Sequence, residues 1–113
     1  MGKLTKEDII LLFLEEPYKL ADEIWDRNVP KSDEIRTLIC ELGNPYCAYL
    51  YAKFIDNKPT DETRTAACKT PQCAYCYARD VDKKPIDETR TAACKNINSK
   101  NWYEEWEKSL KKI

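Results

Sequence analysis

Six cysteines are the first residues of this chain whose spacing could support chemistry. Cys73 and Cys76 form a Cys-x-x-Cys pair, a spacing found in zinc sites, and Cys68 and Cys94 could complete four thiolates. The alternative is packing, because a reduced cysteine behaves as a small apolar residue. The sequence favours packing, since histidine is absent, a second Cys-x-x-Cys is missing, and Leu50 holds the place of Cys76 in a sister copy of the same pattern. We therefore expect no cofactor and six reduced, mostly buried thiols. Zinc binding and disulfide or redox chemistry remain the alternatives.

A row of arginines is the second candidate, because each arginine follows an aspartate by three residues. A pair at this spacing stabilises a helix locally, and the acidic residue complements the positive end of the helix dipole. The arginines could also bridge to the next repeat of the chain. The functional interpretation is a row of identical side chains about one helix diameter (~10 Å) apart, suited to recognising a partner. The candidate partner-binding residues are Arg36, Arg64, Arg90, Asp33, Asp61 and Asp87.

Tyrosines form the third candidate group. Bases of single-stranded nucleic acid could stack on an aromatic stripe that lies beside basic residues. Tyrosine in a helix covered on most faces is more often part of the core, with its hydroxyl reaching the edge. The residues concerned are Tyr49, Tyr51, Tyr75 and Tyr77, together with Tyr18 and Tyr46.

Enzymatic chemistry has little support in this sequence. There is no histidine for general-base work, no glycine-rich phosphate loop and no Gly-x-Ser-x-Gly motif. The carboxylates are typical of solvated helix faces and helix caps. We predict that the protein is not an enzyme.

The elements that position these residues belong to one sequence unit that occurs twice in tandem between Asn44 and Lys95. Its pattern of Pro, Cys, Ala and Tyr, followed by Asp-Glu-Thr-Arg-Thr-Ala-Ala-Cys-Lys, recurs at a fixed displacement, so that Pro45 corresponds to Pro71. A degenerate earlier copy begins at Pro17, and the three copies share Asp-Glu-x-Arg-Thr-x-x-Cys. A fixed period in the range of about 20–50 residues is the signature of a repeat architecture. Each copy predicts two helices, and helices this short need stacking to be stable.

The predicted fold is all-α, a right-handed α-solenoid of stacked helical hairpins with about eight helices. The first helix of a copy is expected from Pro45 to about Asp56 and from Pro71 to about Asp82. The second is expected from about Thr60 to Lys69 and from about Ile86 to Lys95. We expect a single helical-repeat domain over residues 1–113. It divides into a starter helix (1–16), three repeats (17–43, 44–69 and 70–95) and a capping helix (96–113).

The two ends of the chain have their own signals. Thr5 followed by Asp8 predicts a capping box that starts the first helix. In the last helix, Trp102, Trp106, Leu110 and Ile113 mark one apolar face, with polar residues opposite. A stack of repeats ends in a helix whose outer face is polar and exposed to solvent, so this pattern predicts a capping helix.

Composition limits the remaining classes. The chain has 113 residues, 35% of them charged, and a formal net charge of -1 with both signs interspersed. This argues against a polybasic nucleic-acid tail. The longest apolar run, Ile9 to Leu14, is far shorter than the ~20 residues that span a bilayer, and no signal peptide is visible. We expect a cytoplasmic protein that does not act at a membrane.

The unit's Pro-x-x-Ala-Tyr-x-Tyr-Ala helix, followed by its Asp-Glu-Thr-Arg-Thr-Ala-Ala-Cys-Lys block, resembles short α-helical repeats in small proteins of bacteriophages and bacterial mobile elements. The resemblance covers residues 17–95 and implies a cytoplasmic adaptor or a small phage inhibitor of a host protein. We predict a non-enzymatic module that binds another protein. The alternatives are a helical repeat that binds single-stranded nucleic acid and, more weakly, a thiolate zinc protein.

Overall fold

The computed structural model describes residues 3–111, and within them every regular element is helical. The eight helices are α1 (Lys6–Glu15), α2 (Pro17–Trp25), α3 (Asp33–Glu41), α4 (Pro45–Leu50), α5 (Asp61–Ala67), α6 (Pro71–Tyr77), α7 (Asp87–Ala93) and α8 (Ile97–Leu110). Helices α4 and α6 continue directly into π-helical segments, called here the α4 extension (Tyr51–Asp56) and the α6 extension (Ala78–Asp82). The predictions of an all-α fold and of about eight helices packed as hairpins are confirmed.

The helices form two layers. Even-numbered neighbours pack against one another from α2 to α8. Helices α5 and α7 pack against the even-numbered helices on both sides of them in sequence, whereas α1 packs against α2 and α3 against α4. Polar contacts connect the odd-numbered helices in order: Lys6 with Glu34 at 2.9 Å, Thr37 with Glu62 at 3.1 Å, and Thr65 with Glu88 at 2.9 Å. The result is an elongated molecule of 46 × 26 × 20 Å, with an odd layer and an even layer.

Side-chain caps explain where the helices begin. The predicted capping box of Thr5 and Asp8 is present at the start of α1. Most later helices begin with a polar side chain that accepts the backbone N–H three residues on, and α2, α4 and α6 also have proline in their first turn. Because both devices satisfy or remove orphan N–H groups, they fix the helix starts locally. The capping residues of this type are Ser32, Asn44, Thr60, Thr70 and Asn96.

The core changes character along the molecule. Its N-terminal part is built from large aliphatic side chains such as Ile9, Leu20 and Ile39, all fully buried. Towards the C-terminus, alanines of α6 and α7 pack around the buried Tyr103. Small residues there allow the helices to approach closely, so a tyrosine supplies the volume that aliphatic side chains fill elsewhere.

Helix α8 differs from the predicted cap. Trp102 and Leu110 are 47% and 38% exposed, whereas Ser99 and Tyr103 are fully buried, and the predicted stripe residue Ile113 lies outside the described residues. The buried face is therefore shifted from the predicted one, because Tyr103 takes the position that Tyr77 has in the preceding copy. Of the three stripe residues within the described part of the chain, Trp106 packs against the adjacent core.

The same comparison shows a second difference between α8 and α6. Ala74 of α6 and Ala78 of the α6 extension are fully buried beside α7. The corresponding residues of α8 are Lys100 and Glu104. Both are exposed, and the Lys100 Nζ atom lies 4.0 Å from the Glu104 Oε1 atom. A further helix packed there would have to bury two charges, which is costly without compensating partners.

Candidate protein interface

In the α4 extension, in α6 and in α8, a tyrosine joins the helix to the odd-numbered helix before it. The Tyr77 hydroxyl lies 2.6 Å from the Thr63 hydroxyl and accepts the Thr60 N–H at 3.0 Å. Tyr103 makes the same contacts to Thr89 at 2.8 Å and to the Ile86 N–H at 3.2 Å. Each tyrosine therefore satisfies the backbone at the start of the preceding odd helix, which is a structural role.

Tyr51 occupies the equivalent place one repeat earlier. Its hydroxyl donates to the Pro30 carbonyl at 2.8 Å and accepts the Ser32 N–H at 3.1 Å. Tyr51, Tyr77 and Tyr103 are all fully buried. Tyr51 and Tyr77 are therefore core residues, as the sequence favoured, and the alternative of an exposed aromatic stripe is wrong at these two positions. Tyr49 is also only 6% exposed. Of the six tyrosines proposed for it, Tyr18 and Tyr46 are the most exposed.

The predicted arginine row forms a second set of links between neighbouring repeats. Arg36 donates from Nε and from its terminal NH2 group to Asp56 at 2.6 and 2.9 Å. Arg64 binds Asp82 in the same way, with distances of 3.0 and 2.7 Å. The Asp56 and Asp82 side chains are fully buried, and the arginine side chains are only 12% and 14% exposed. The hydrogen bonds to these carboxylates raise the pKa of both guanidinium groups.

Arg90 ends the row in a more open setting. It donates to Glu107 at 3.1 and 2.7 Å, and its side chain is 42% exposed. This third link differs in the spacing between tyrosine and acid within the even helix. Glu107 follows Tyr103 by four residues in a regular α-helix, whereas Asp82 follows Tyr77 by five residues in a helix with a π-helical extension.

The π-helical extensions account for that difference. An α-helical turn places residues i and i+4 on one face, whereas a π-helical turn, closed by an i to i+5 hydrogen bond, places i and i+5 together. Tyr51 and Asp56 can therefore point at the same odd helix only because the α4 extension is π-helical. The extensions are explained by this packing requirement.

The six predicted partner-binding residues are thus divided by the fold. Each arginine also pairs with the aspartate three residues before it, at 2.9, 2.8 and 3.1 Å along the chain. These aspartates are 94 to 101% exposed. The Arg36 and Arg64 side chains point inwards and are bound to buried carboxylates. The most exposed members of the row, and those most accessible to a partner, are therefore the three aspartates. They are Asp33, Asp61 and Asp87.

The cysteines take different environments. Cys40 and Cys47 are buried, and burial raises the pKa of each thiol to about 12. Cys94 is exposed, so the prediction of mostly buried thiols is wrong at that position. Ser99 occupies the place of Cys47 and Cys73 in α8. Among residues 3–111, no three His, Cys, Asp or Glu side chains are grouped as a metal site.

The even layer carries a surface that the sequence did not reveal. Aromatic and basic side chains of the four even helices, their extensions and the residues directly after α2 form two contacting groups along this layer, called together the aromatic–cationic strip. At one end, the Trp25 and Phe54 rings are 4.7 Å apart, and the Arg27 guanidinium lies 5.1 Å from the Phe54 ring. Lys53 lies 5.2 Å from Phe54 and 5.8 Å from the Tyr49 ring.

The other half of the strip is built in the same way. Arg79 lies 5.0 Å from the Tyr75 ring, and Tyr75 is 5.8 Å from Trp102. Trp25 and Trp102, at the two ends, are 52% and 47% exposed. The full strip comprises Trp25, Arg27, Tyr49, Lys53, Phe54, Tyr75, Arg79 and Trp102.

Asp80 joins the two halves of the strip. It accepts hydrogen bonds from Tyr49 and, at 2.8 and 3.0 Å, from Arg79, and it lies 3.4 Å from the Lys53 ammonium. Burial acts to raise the pKa of Asp80, but the bonds from Arg79 and Tyr49 outweigh it and hold this pKa at about 2. The carboxylate therefore stays charged and keeps the basic side chains in place.

One sequence signal for the strip was available. Lys53 follows Tyr49 by four residues, and Arg79 follows Tyr75 by four residues, at equivalent places in two copies. This spacing puts a cation over an aromatic ring on one helix face. Trp25 and Trp102 gave no such signal, since their neighbours in the strip come from other helices.

Comparisons with the profiles of known protein families, with curated proteins and with solved structures find no match to this chain. Across the described part of the chain, no helix has both the length and the apolar character needed to cross a bilayer.

Proposed function

We propose that this protein is a non-enzymatic module that binds another protein through the aromatic–cationic strip. The observation that carries the proposal is the continuity of the strip across four helices, with a half-exposed tryptophan at each end. Tryptophan, tyrosine and arginine are the residues most enriched at energetic hot spots of protein interfaces.

The rigidity of the strip supports the same proposal. Its side chains stand on helices that the tyrosine and arginine links hold together, so little conformational entropy would be lost when a partner binds. A rigid aromatic surface that is already assembled suits recognition of a folded or extended protein segment.

Single-stranded nucleic acid is the weaker candidate on this geometry. Base stacking needs open aromatic faces. Cations lie over the Phe54 and Tyr75 rings, and Tyr51 and Tyr77 are buried. Arg36 and Arg64 are engaged with buried carboxylates.

The cellular setting is part of the proposal. All six cysteines are free thiols, which fits a reducing compartment such as the cytoplasm. The resemblance to helical repeats of phages and mobile elements would make the module an adaptor or an inhibitor of a host protein.

The test is affinity capture from a host-cell lysate with three forms of the tagged protein. The first is wild type and the second carries Trp25→Ser and Trp102→Ser. The third carries Asp33→Asn, Asp61→Asn and Asp87→Asn, which alters the exposed acidic row of the odd layer.

We expect one specific partner, identified by mass spectrometry, to be retained by wild type and by the aspartate variant. The tryptophan variant should lose it, with binding weakened by about 2 kcal/mol or more if the tryptophans are hot spots. Circular dichroism must show the same helicity for all three forms. Loss of the partner in the aspartate variant alone would move the interface to the odd layer and refute the strip.

A further inference from the structure

A groove opens between the α4 and α6 extensions, next to the middle of the strip. Lys53, Lys58 and Lys83 line it together with the buried apolar side chains Ala52 and Val81. Lys53 also belongs to the strip, so the two surfaces are continuous.

The groove carries surplus positive charge. Within residues 3–111, neither Lys58 nor Lys83 has an acidic group within ion-pair distance, and both are exposed. The single acidic lining residue, Asp80, is shared by Arg79 at 2.8 Å and Lys53 at 3.4 Å. Together with Lys58 and Lys83 these are four cations against one carboxylate. The ends of the two extensions contribute partial negative charges of about half a unit each, so a surplus of about two positive charges remains.

We propose that this groove binds an acidic segment of the partner protein, whose carboxylates pair with Lys53, Lys58 and Lys83. The inference rests on the proposed function and specifies the chemistry of the partner. Charge complementarity identifies the ligand as anionic. Among polyanions, a protein segment fits better than single-stranded nucleic acid, because cations cover the Phe54 and Tyr75 faces on which bases would stack.

The test uses nitrogen-15-labelled protein and three probes at an ionic strength of about 0.15 M, where the Debye length is about 8 Å. The first probe is a twelve-residue peptide of aspartate and glutamate with one central phenylalanine. The second is the same peptide with asparagine and glutamine in place of the acids, and the third is a dodecamer of thymidine. Chemical-shift changes in two-dimensional spectra give both the site and the affinity.

Two variants with the same change of net charge separate the groove from a general charge effect. The groove variant carries Lys53→Gln, Lys58→Gln and Lys83→Gln. The control carries Lys31→Gln, Lys69→Gln and Lys95→Gln, three exposed lysines outside the groove.

We expect the acidic peptide to shift resonances of the two extensions, and the amide peptide to shift none. In the groove variant the acidic peptide should bind roughly 3- to 150-fold more weakly, the range expected for loss of three exposed ion pairs. The control variant should bind within about twofold of wild type, since more distant exposed charges are screened.

Three results would overturn the inference. The first is an equal loss of acidic-peptide affinity in the groove variant and the control variant. The second is that the acidic peptide causes no chemical-shift changes, or causes them outside the two extensions. The third is tighter binding of the thymidine dodecamer than of the acidic peptide. A natural partner that is lost by the tryptophan variant but kept by the groove variant would also overturn it. That last result would leave the proposed function standing.

Discussion

Replacement of Arg64 by alanine tests whether the arginine row holds the fold together. The change removes both hydrogen bonds to Asp82, whose side chain is fully buried. The carboxylate would then remain in the interior without a counter-charge, which is more costly than loss of a surface ion pair.

The size of the effect follows from that burial. Removal of one partner of a buried ion pair costs about 3–5 kcal/mol, and the lower end applies because the Arg64 side chain is 14% exposed and water can partly replace it. With about 2.1 cal/mol/K of unfolding entropy per residue over 113 residues, 3 kcal/mol lowers Tm by about 13 °C.

Thermal and urea unfolding followed by circular dichroism at 222 nm measure the change. Asp61→Asn is the matched control, because it removes the carboxylate of the other ion pair of Arg64. The Asp61 side chain is fully exposed, so this change should leave Tm almost unchanged. The double variant Arg64→Ala/Asp82→Ala should recover part of the loss, since no buried charge is left unpaired. Equal and small effects of Arg64→Ala and Asp61→Asn would refute the reasoning and return Arg64 to the candidate recognition residues.

Three further outcomes can be checked directly. Ser99→Ala should raise the free energy of unfolding by about 1 kcal/mol in urea titrations, because the buried Ser99 hydroxyl has no hydrogen-bond partner among residues 3–111; an unchanged or lowered free energy would contradict this. Native thiol labelling followed by mass spectrometry should modify Cys94 first and Cys40 and Cys47 last; rapid modification of all thiols would contradict their burial. Asp80, whose pKa is lowered to about 2, should contribute stability above about pH 4 that disappears as pH falls towards 2. In urea titrations Asp80→Asn should flatten the pH dependence in that window, and an unchanged profile would exclude this contribution.

The sequence predicted the elements well because their signals are local. The caps at Thr5 and Asn44, and the prolines that open α2, α4 and α6, act within one turn of the helix they start. The predicted ends of the first helices, at Asp56 and Asp82, coincide with the ends of the π-helical extensions.

The roles of the arginines and tyrosines could not be decided in the same way. The aspartate that buries Arg64 is 18 residues away, and the backbone that Tyr77 binds is 17 residues away. The helix face on which each residue lies also depends on the π-helical turn. The local sequence pattern did not predict this turn. Across the corresponding positions of α6 and α8, the sequences are identical only at Tyr77 and Tyr103. The last helix was therefore interpreted as an unrelated cap.

The repeating links have an evolutionary consequence. The three junctions from α3 to α8 are each made by a tyrosine, an arginine and an acid, so tandem duplication or deletion of one unit within Asn44–Lys95 would regenerate the same junction. The near-identical copies are the kind of template on which unequal recombination changes copy number. Lys100 and Glu104 disfavour the packing of a further helix on their face of α8, so an added unit fits better before α8. Each added unit would lengthen the even layer by one helix, and the length of the proposed binding surface would vary in whole units without any new contact having to evolve.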